Sequence, residues 1–133
     1  MSEYAAKQHD KITATDTHII LIPSPNGSTP TPTPLPFNGD IDSNLSSNVK
    51  IMGLPAATVG SQASNVPSHL PIPPSGTFQI PPSNKGKILK GSSIVNINGK
   101  SAARNGDQAQ TCADPTPNLG AKVIASGTVM IGG

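Results

Sequence analysis

Residues 92–109 read SSIVNINGKSAARNGDQA, and residues 46–63 read SSNVKIMGLPAATVGSQA. The two stretches lie over one another at a constant offset of 46 without a gap, with ten of eighteen positions identical. A match of that quality at a fixed offset marks an internal repeat, which has to be settled before any single element is read. In the later copy, Ile94, Val95 and Ile97 lead into Asn98-Gly99 and then a small-residue segment ending in Gly106-Asp107. Alternation that runs into Asn-Gly predicts a short β-strand and a tight turn.

The repeat extends to both ends of the chain. Ala5-Ala6-Lys7-Gln8-His9-Asp10 lies over Ala102 to Asp107 and over Ala56 to Ser61, and SGTVMIGG at 126–133 lies over SSIVNING and SSNVKIMG. Small segment, connection and octapeptide thus recur three times, and the chain stops where a fourth small segment would begin. Closure of residues 132–133 onto Ala5-Ala6 is expected, as 53 leads to 56 and 99 to 102. The reading is an all-β single domain over 1–133 with little or no helix, built of three β-loop-β units around a pseudo-threefold axis. The units fall near 5–18 with 126–133, 46–69 and 92–115.

Between the units lie Pro-rich connections. Residues 23–36, PSPNGSTPTPTPLP, show no period-two apolar pattern and are expected as a surface loop on a polyproline-like path. Residues 71–83 are expected as a second such loop, with short strands at 77–80 and 87–89, and 113–125 as the shortest connection. Pro and Gly interrupt every window long enough for a helix except 4–12, where the repeat favours extended structure.

Composition narrows the function classes. Aromatics are 2% and hydrophobics 34%, so no large core can be assembled. With 15 prolines and 13 glycines, disorder is the competing interpretation, but charged residues are only 12% and the β-like runs are regular. The net charge is +2, and Lys85, Lys87 and Lys90 have no aromatic neighbours to stack bases, which argues against nucleic-acid binding. No apolar stretch approaches the ~18 residues of a membrane span. The start, MSEYAAKQHDKI, has no basic segment followed by an apolar block, so no secretory signal is expected. One cysteine excludes an intramolecular disulfide framework.

Stability is then expected from backbone pairing, from a ligand or from a partner. Thirteen residues after the first Ala of each small segment stand His18, His69 and Pro115, with Cys112 three residues before the last. Taken singly, a His in a Pro-rich loop is most often exposed and a lone Cys most often buried and inert. Registration in a threefold repeat brings the three side chains to one end of the axis, and imidazole and thiolate are Zn²⁺ donors. His9 is the natural fourth ligand, although it occupies the place of Gly60 and Gly106, so the repeat alone does not predict it. Asp10 and Asp107 are expected to accept turn hydrogen bonds, and Asp16 to orient the His18 ring from outside the ligand set. Lys100 and Arg104 have no recurrent partner and are expected to be exposed.

GSSIVNINGKSAARNGD at 91–107 resembles the signature of the PAAR-repeat family: a strand and NGK-like turn leading into Ala-Ala-Arg and Gly-Asp. Through its registered copies the resemblance covers essentially the whole chain. It implies a small cone-shaped β-protein that caps and sharpens a trimeric, VgrG-like β-helical spike, one tip chain per trimer. Such spikes belong to contractile injection machines: type VI secretion systems, phage tail-like particles or related extracellular particles. It also implies one structural zinc near the apex held by three histidines and a cysteine, with His18, His69 and Cys112 matching by position and His9 completing the count; iron is the alternative metal. The base would be the three octapeptides, with Val49, Ile51, Val95, Ile97, Val129 and Ile131 toward the spike. Synthesis in the cytoplasm and delivery on the particle toward a target envelope follow from the same resemblance. Three departures stand out: His18-Ile19-Ile20 in place of His-Gly-Gly, His9-Asp10 in place of the first Gly-Asp, and the long Pro/Thr stretch.

Two other classes compete with this one. A zinc hydrolase would need an open metal position and a general base, yet there is no HExxH helix and Glu3 is the only glutamate. An adaptor that carries an effector cargo through the Pro-rich loops is compatible with a place at the tip.

Overall fold

A computed structural model describes residues 2–133. They form thirteen strands and, among the described residues, no helix. The strands are β1 (Glu3–Tyr4), β2 (Lys11–Ser24), β3 (Gly27–Ser43), β4 (Lys50–Ile51), β5 (Leu54–Pro55), β6 (Gln62–Asn65), β7 (Thr77–Phe78), β8 (Lys85–Ile88), β9 (Asn96–Ile97), β10 (Lys100–Ser101), β11 (Gln108–Thr111), β12 (Asn118–Ile124) and β13 (Met130–Ile131).

The repeated small segments make the base. Ala6 N–H donates to Ala103 O (2.9 Å), Ala103 N–H to Ala57 O (3.1 Å), and Ala57 N–H to Ala6 O (3.0 Å), which closes a ring of three equivalent hydrogen bonds. Bridges Ala5 to Arg104, Lys7 to Ala56 and Thr58 to Ala102 repeat the same relation one step outward. All three ring residues are alanines, fully buried in the same core cluster, and a longer side chain there would overpack it. Each octapeptide end then forms a two-stranded antiparallel sheet, β4 with β5, β9 with β10, and β13 with β1. The last of these joins Ile131 to Glu3 and Met130 to Tyr4, so the chain closes on itself as expected.

Above the ring, three pairs of strands make a closed antiparallel barrel in the order β2-β3-β6-β8-β11-β12, with β12 returning to β2. Each of the six wall strands is paired on both sides over its ring-proximal part. Ile12, Phe37, Ile41, Ala63, Ile88, Ala109, Ala121 and Val123 fill the interior. One aromatic ring suffices because small residues surround it: a Cβ on Gly39 would lie 2.6 Å from Phe37 Cε1. Barrel and ring are stitched threefold as well. His9, Gly60 and Gly106 N–H groups donate to Ile41, Ile88 and Val123 O, and those three residues donate back to Asp10, Ser61 and Asp107 O.

Two connections differ from expectation. Residues 23–36 are not a loop: β2 and β3 form one long hairpin, paired without interruption from Lys11–Asp40 to Ser24–Gly27 around the Pro25-Asn26 turn. Proline is compatible with a strand when its missing N–H lies on an unpaired edge. Asn38 turns its N–H and C=O away from β2, toward Asn65 and Val66. Pro30, Pro32, Pro34 and Pro36 share that parity, and β6 pairs with β3 only from Gly39 onward, so the four prolines line an open edge. Likewise 113–125 is largely β12 rather than a loop. In the 71–83 connection the short strand expected at 77–80 is the two-residue β7, which pairs with Ile20 and Leu21, and the one expected at 87–89 falls partly in β8.

Candidate functional site

On β2, residues of one parity point inward, so Ile12, Asp16, His18 and Ile20 are all buried. This puts Asp16 and His18 one above the other at the end of the barrel away from the ring. His69 arrives from the connection after β6, where its N–H donates to Asn84 Oδ1 at 2.8 Å and its Nδ1 lies 3.3 Å from Asn65 Nδ2. Asn65 is itself fixed, accepting from Asn38 N–H at 2.9 Å and donating to Asn84 Oδ1 at 3.2 Å. Cys112 follows β11 directly.

Asp16, His18, His69 and Cys112 each offer one donor atom, and all four atoms lie within 4.8 Å of one another. Cys112 Sγ is 3.6 Å from His18 Nε2 and 3.7 Å from Asp16 Oδ2, and His69 Nε2 is 3.4 Å from Asp16 Oδ2. Corners of a tetrahedron with bonds of about 2.0–2.3 Å are about 3.3–3.8 Å apart, so these separations fit one ion with a small contraction. The other nitrogen of His18, Nδ1, is buried without a hydrogen-bond partner and faces Asp114 Oδ2 at 3.6 Å. That is the carboxylate-histidine arrangement that orients a metal-bound imidazole. Phe78 sets its ring edge-on against His18 and shields it.

Burial pushes the Cys112 thiol up, and the nearby Asp16 carboxylate adds to the effect. Burial pushes His69 down, against the opposing pull of its contact with Asp16. Both shifts have the same first cause, burial, which disfavours the charged form of each group. Beside the cluster lies a groove of about 350 Å³ whose lining includes His18, Cys112 and Asp114.

The structure brings together His18, His69 and Cys112 of the expected ligands but not His9. His9 has φ 74°, the left-handed conformation of its counterparts Gly60 and Gly106, because all three stand at the same turn of the ring. Its side chain is 61% exposed and its Nδ1 contacts Asp40 Oδ2 at 3.0 Å, at the ring end of the barrel. Asp16 faces His69 and Cys112 instead of orienting His18; Asp114 has that position. The strand parity of Asp16 and His18 was the signal that could have placed the carboxylate in the group.

Asp10 and Asp107 do accept turn hydrogen bonds, from Lys7 N–H (3.0 Å) and Arg104 N–H (2.7 Å), and Ser61 Oγ does the same for Thr58 N–H (3.0 Å). Arg104 is not free: its guanidinium pairs with Asp107 at 2.9 Å and repeats the Lys7–Asp10 pair at 3.1 Å. Lys100 is exposed.

At the base, Ile51, Ile97 and Ile131 are buried against Ala5, Ala56 and Ala102, with Val49 and Val95 partly buried beside them. Five of the six apolar residues expected at a partner surface therefore pack on one another. Tyr4, Met52, Ile94, Val129 and Met130 are large apolar or aromatic side chains left exposed there.

A pseudo-threefold all-β chain with closed ends and a buried donor cluster defines the class. The family model described as PAAR motif matches residues 78–133, from β7 to the C-terminus, so this part of the chain is similar to that motif. Comparison with curated proteins gave no match. No helix of the described residues is long and apolar enough to cross a membrane.

Proposed function

We propose that this chain is the tip of a contractile injection spike, seated by its ring end on a trimeric β-helical, VgrG-like partner. The observation that carries the reading is the Ala6–Ala103–Ala57 hydrogen-bond ring: one chain presents three near-equivalent faces about one axis, the match for three identical chains. The role is mechanical. The spike's three terminal strand edges are covered, and the partner meets Met52, Ile94, Val129 and Met130, around the Ile51–Ile97–Ile131 cluster. Delivery on the particle toward a target envelope follows from that position.

At the opposite end, His18, His69 and Cys112 would hold one structural ion, zinc by donor type and iron as the alternative. When bound, it would add a crosslink among three apical segments that hydrogen bonds such as Thr111 to Asp16 and Asp114 N–H to Thr17 O already join. Asn65 and Asn84 hold His69, Asp114 faces His18, and Phe78 keeps water from its ring.

The test of the docking face is a pair of exposed substitutions, Ile94→Asp with Met130→Asp. They are expected to abolish co-elution with the cognate spike trimer while leaving the melting temperature within a few degrees of wild type. Undiminished co-elution would remove the base from the interface.

A cargo-adaptor role has one observation in its favour. Val66, Leu70 and Ile72 are exposed around a groove of about 460 Å³ that includes Leu35 and Pro36, well away from the ring.

A further inference from the structure

Asp16 is fully buried, and among the described residues its only ionic contact is with His69; no lysine or arginine reaches it. A carboxylate in that position needs a cation or a full set of donors. Its two oxygens are used differently. Oδ1 accepts from Thr111 Oγ1 and from Asn118 Nδ2 at 3.1 Å, which fixes the plane of the carboxylate. Oδ2 is turned to His69 Nε2 and Cys112 Sγ, atoms that are themselves metal donors.

We infer that Asp16, through Oδ2, is the fourth ligand of the apical ion, giving a centre of two imidazoles, one thiolate and one carboxylate. This rests on the reading that the apex holds an ion. His9, the only remaining histidine, is exposed and held by Asp40 at the other end of the barrel, so a third imidazole is not within reach. Carboxylate and thiolate together balance the charge of a divalent cation within the ligand set, and the Asp114 carboxylate stands outside it, facing His18. Thr111 and Asn118 are positioning residues for that oxygen. The harder oxygen donor also moves the site toward cations that a three-imidazole, one-thiolate set holds less well.

Cobalt(II) loading of the full-length chain tests this, because the visible spectrum reports coordination number and thiolate ligation directly. The unmodified protein is expected to show four-coordinate cobalt with a thiolate charge-transfer band. Asp16→Asn is expected to lose the four-coordinate spectrum and to weaken metal affinity by more than about a hundredfold, beyond the 10–100-fold typical of an outer hydrogen-bond partner. His9→Ala should leave both unchanged. An Asp16→Asn protein that keeps the four-coordinate spectrum overturns the assignment of Asp16 and leaves the apical ion standing. Failure of the unmodified chain to take up cobalt or zinc overturns the ion itself. If Asp16→Asn does not fold, zinc-edge anomalous diffraction from the unmodified chain decides. A peak about 2.0–2.2 Å from Asp16 Oδ2 supports the assignment, and a peak out of bonding range of that oxygen overturns it.

Discussion

The ring end and the apical end of this molecule are built from the same repeat by opposite means. At the ring, three copies of one segment make three copies of one hydrogen bond, and the side chains are reduced to alanine so that backbones can meet on the axis. At the apex the three units have diverged: one is an uninterrupted hairpin, one carries His69 in an irregular connection, and one carries Cys112 in a short one. Backbone pairing tolerates little variation and preserves symmetry. Side-chain chemistry needs three different contributions and breaks it.

The comparison can be strained at three strengths. Phe37 is the aromatic residue of the barrel core, and its ring lies 6.1 Å from that of His69. Phe37→Ala should cost about 3–5 kcal/mol in chemical denaturation. Hydrogen exchange should accelerate first in the apical segments around His69 and Cys112, with Ala6, Ala57 and Ala103 amides the last to open. Equal loosening of ring and apex would mean the two ends are one cooperative unit.

Next in size is overpacking of the ring. Ala6→Leu, Ala57→Leu and Ala103→Leu should each cost about 1–3 kcal/mol or more. The informative quantity is their spread, since equivalent positions predict similar losses by thermal or urea melts. One tolerated substitution among the three would show that the symmetry of the backbone is not carried into packing.

The smallest effect is a charge pair found in only one unit. Burial works to raise the Asp40 pKa, but hydrogen bonds from His9 and Lys11 outweigh it and hold the carboxyl below the ordinary aspartate range. A lowered folded-state pKa contributes stability that is present above the unfolded value and lost as pH falls through the folded one. Asp40→Asn should therefore reduce stability by less than about 1 kcal/mol near neutral pH, with the difference from wild type vanishing in strong acid. A difference that persists or grows below the aspartate range would remove the ion pair as its cause.

What could be read ahead of the structure follows the same division. The registered copies predicted the closed ring, the strand pairs and the turn carboxylates, because each rests on backbone geometry that repeats. His9 lies apart from the donor cluster for a related reason: its registration on Gly60 and Gly106 marks a left-handed turn position at the ring. The hairpin arm escaped because alternation was sought among apolar residues, whereas Thr29 to Pro36 alternates threonine or leucine with proline. Asp16 and Asp114 were legible only in part. Parity places Asp16 beside His18, but no spacing in the chain announces that Asp114 turns back onto it.

The proline-lined edge of β3 has a further consequence for how copies of the molecule meet. Its outward positions offer carbonyl oxygens and no amide hydrogens, so two such arms laid side by side would set acceptor against acceptor. That edge of the arm is one that a copy of itself cannot extend by backbone pairing.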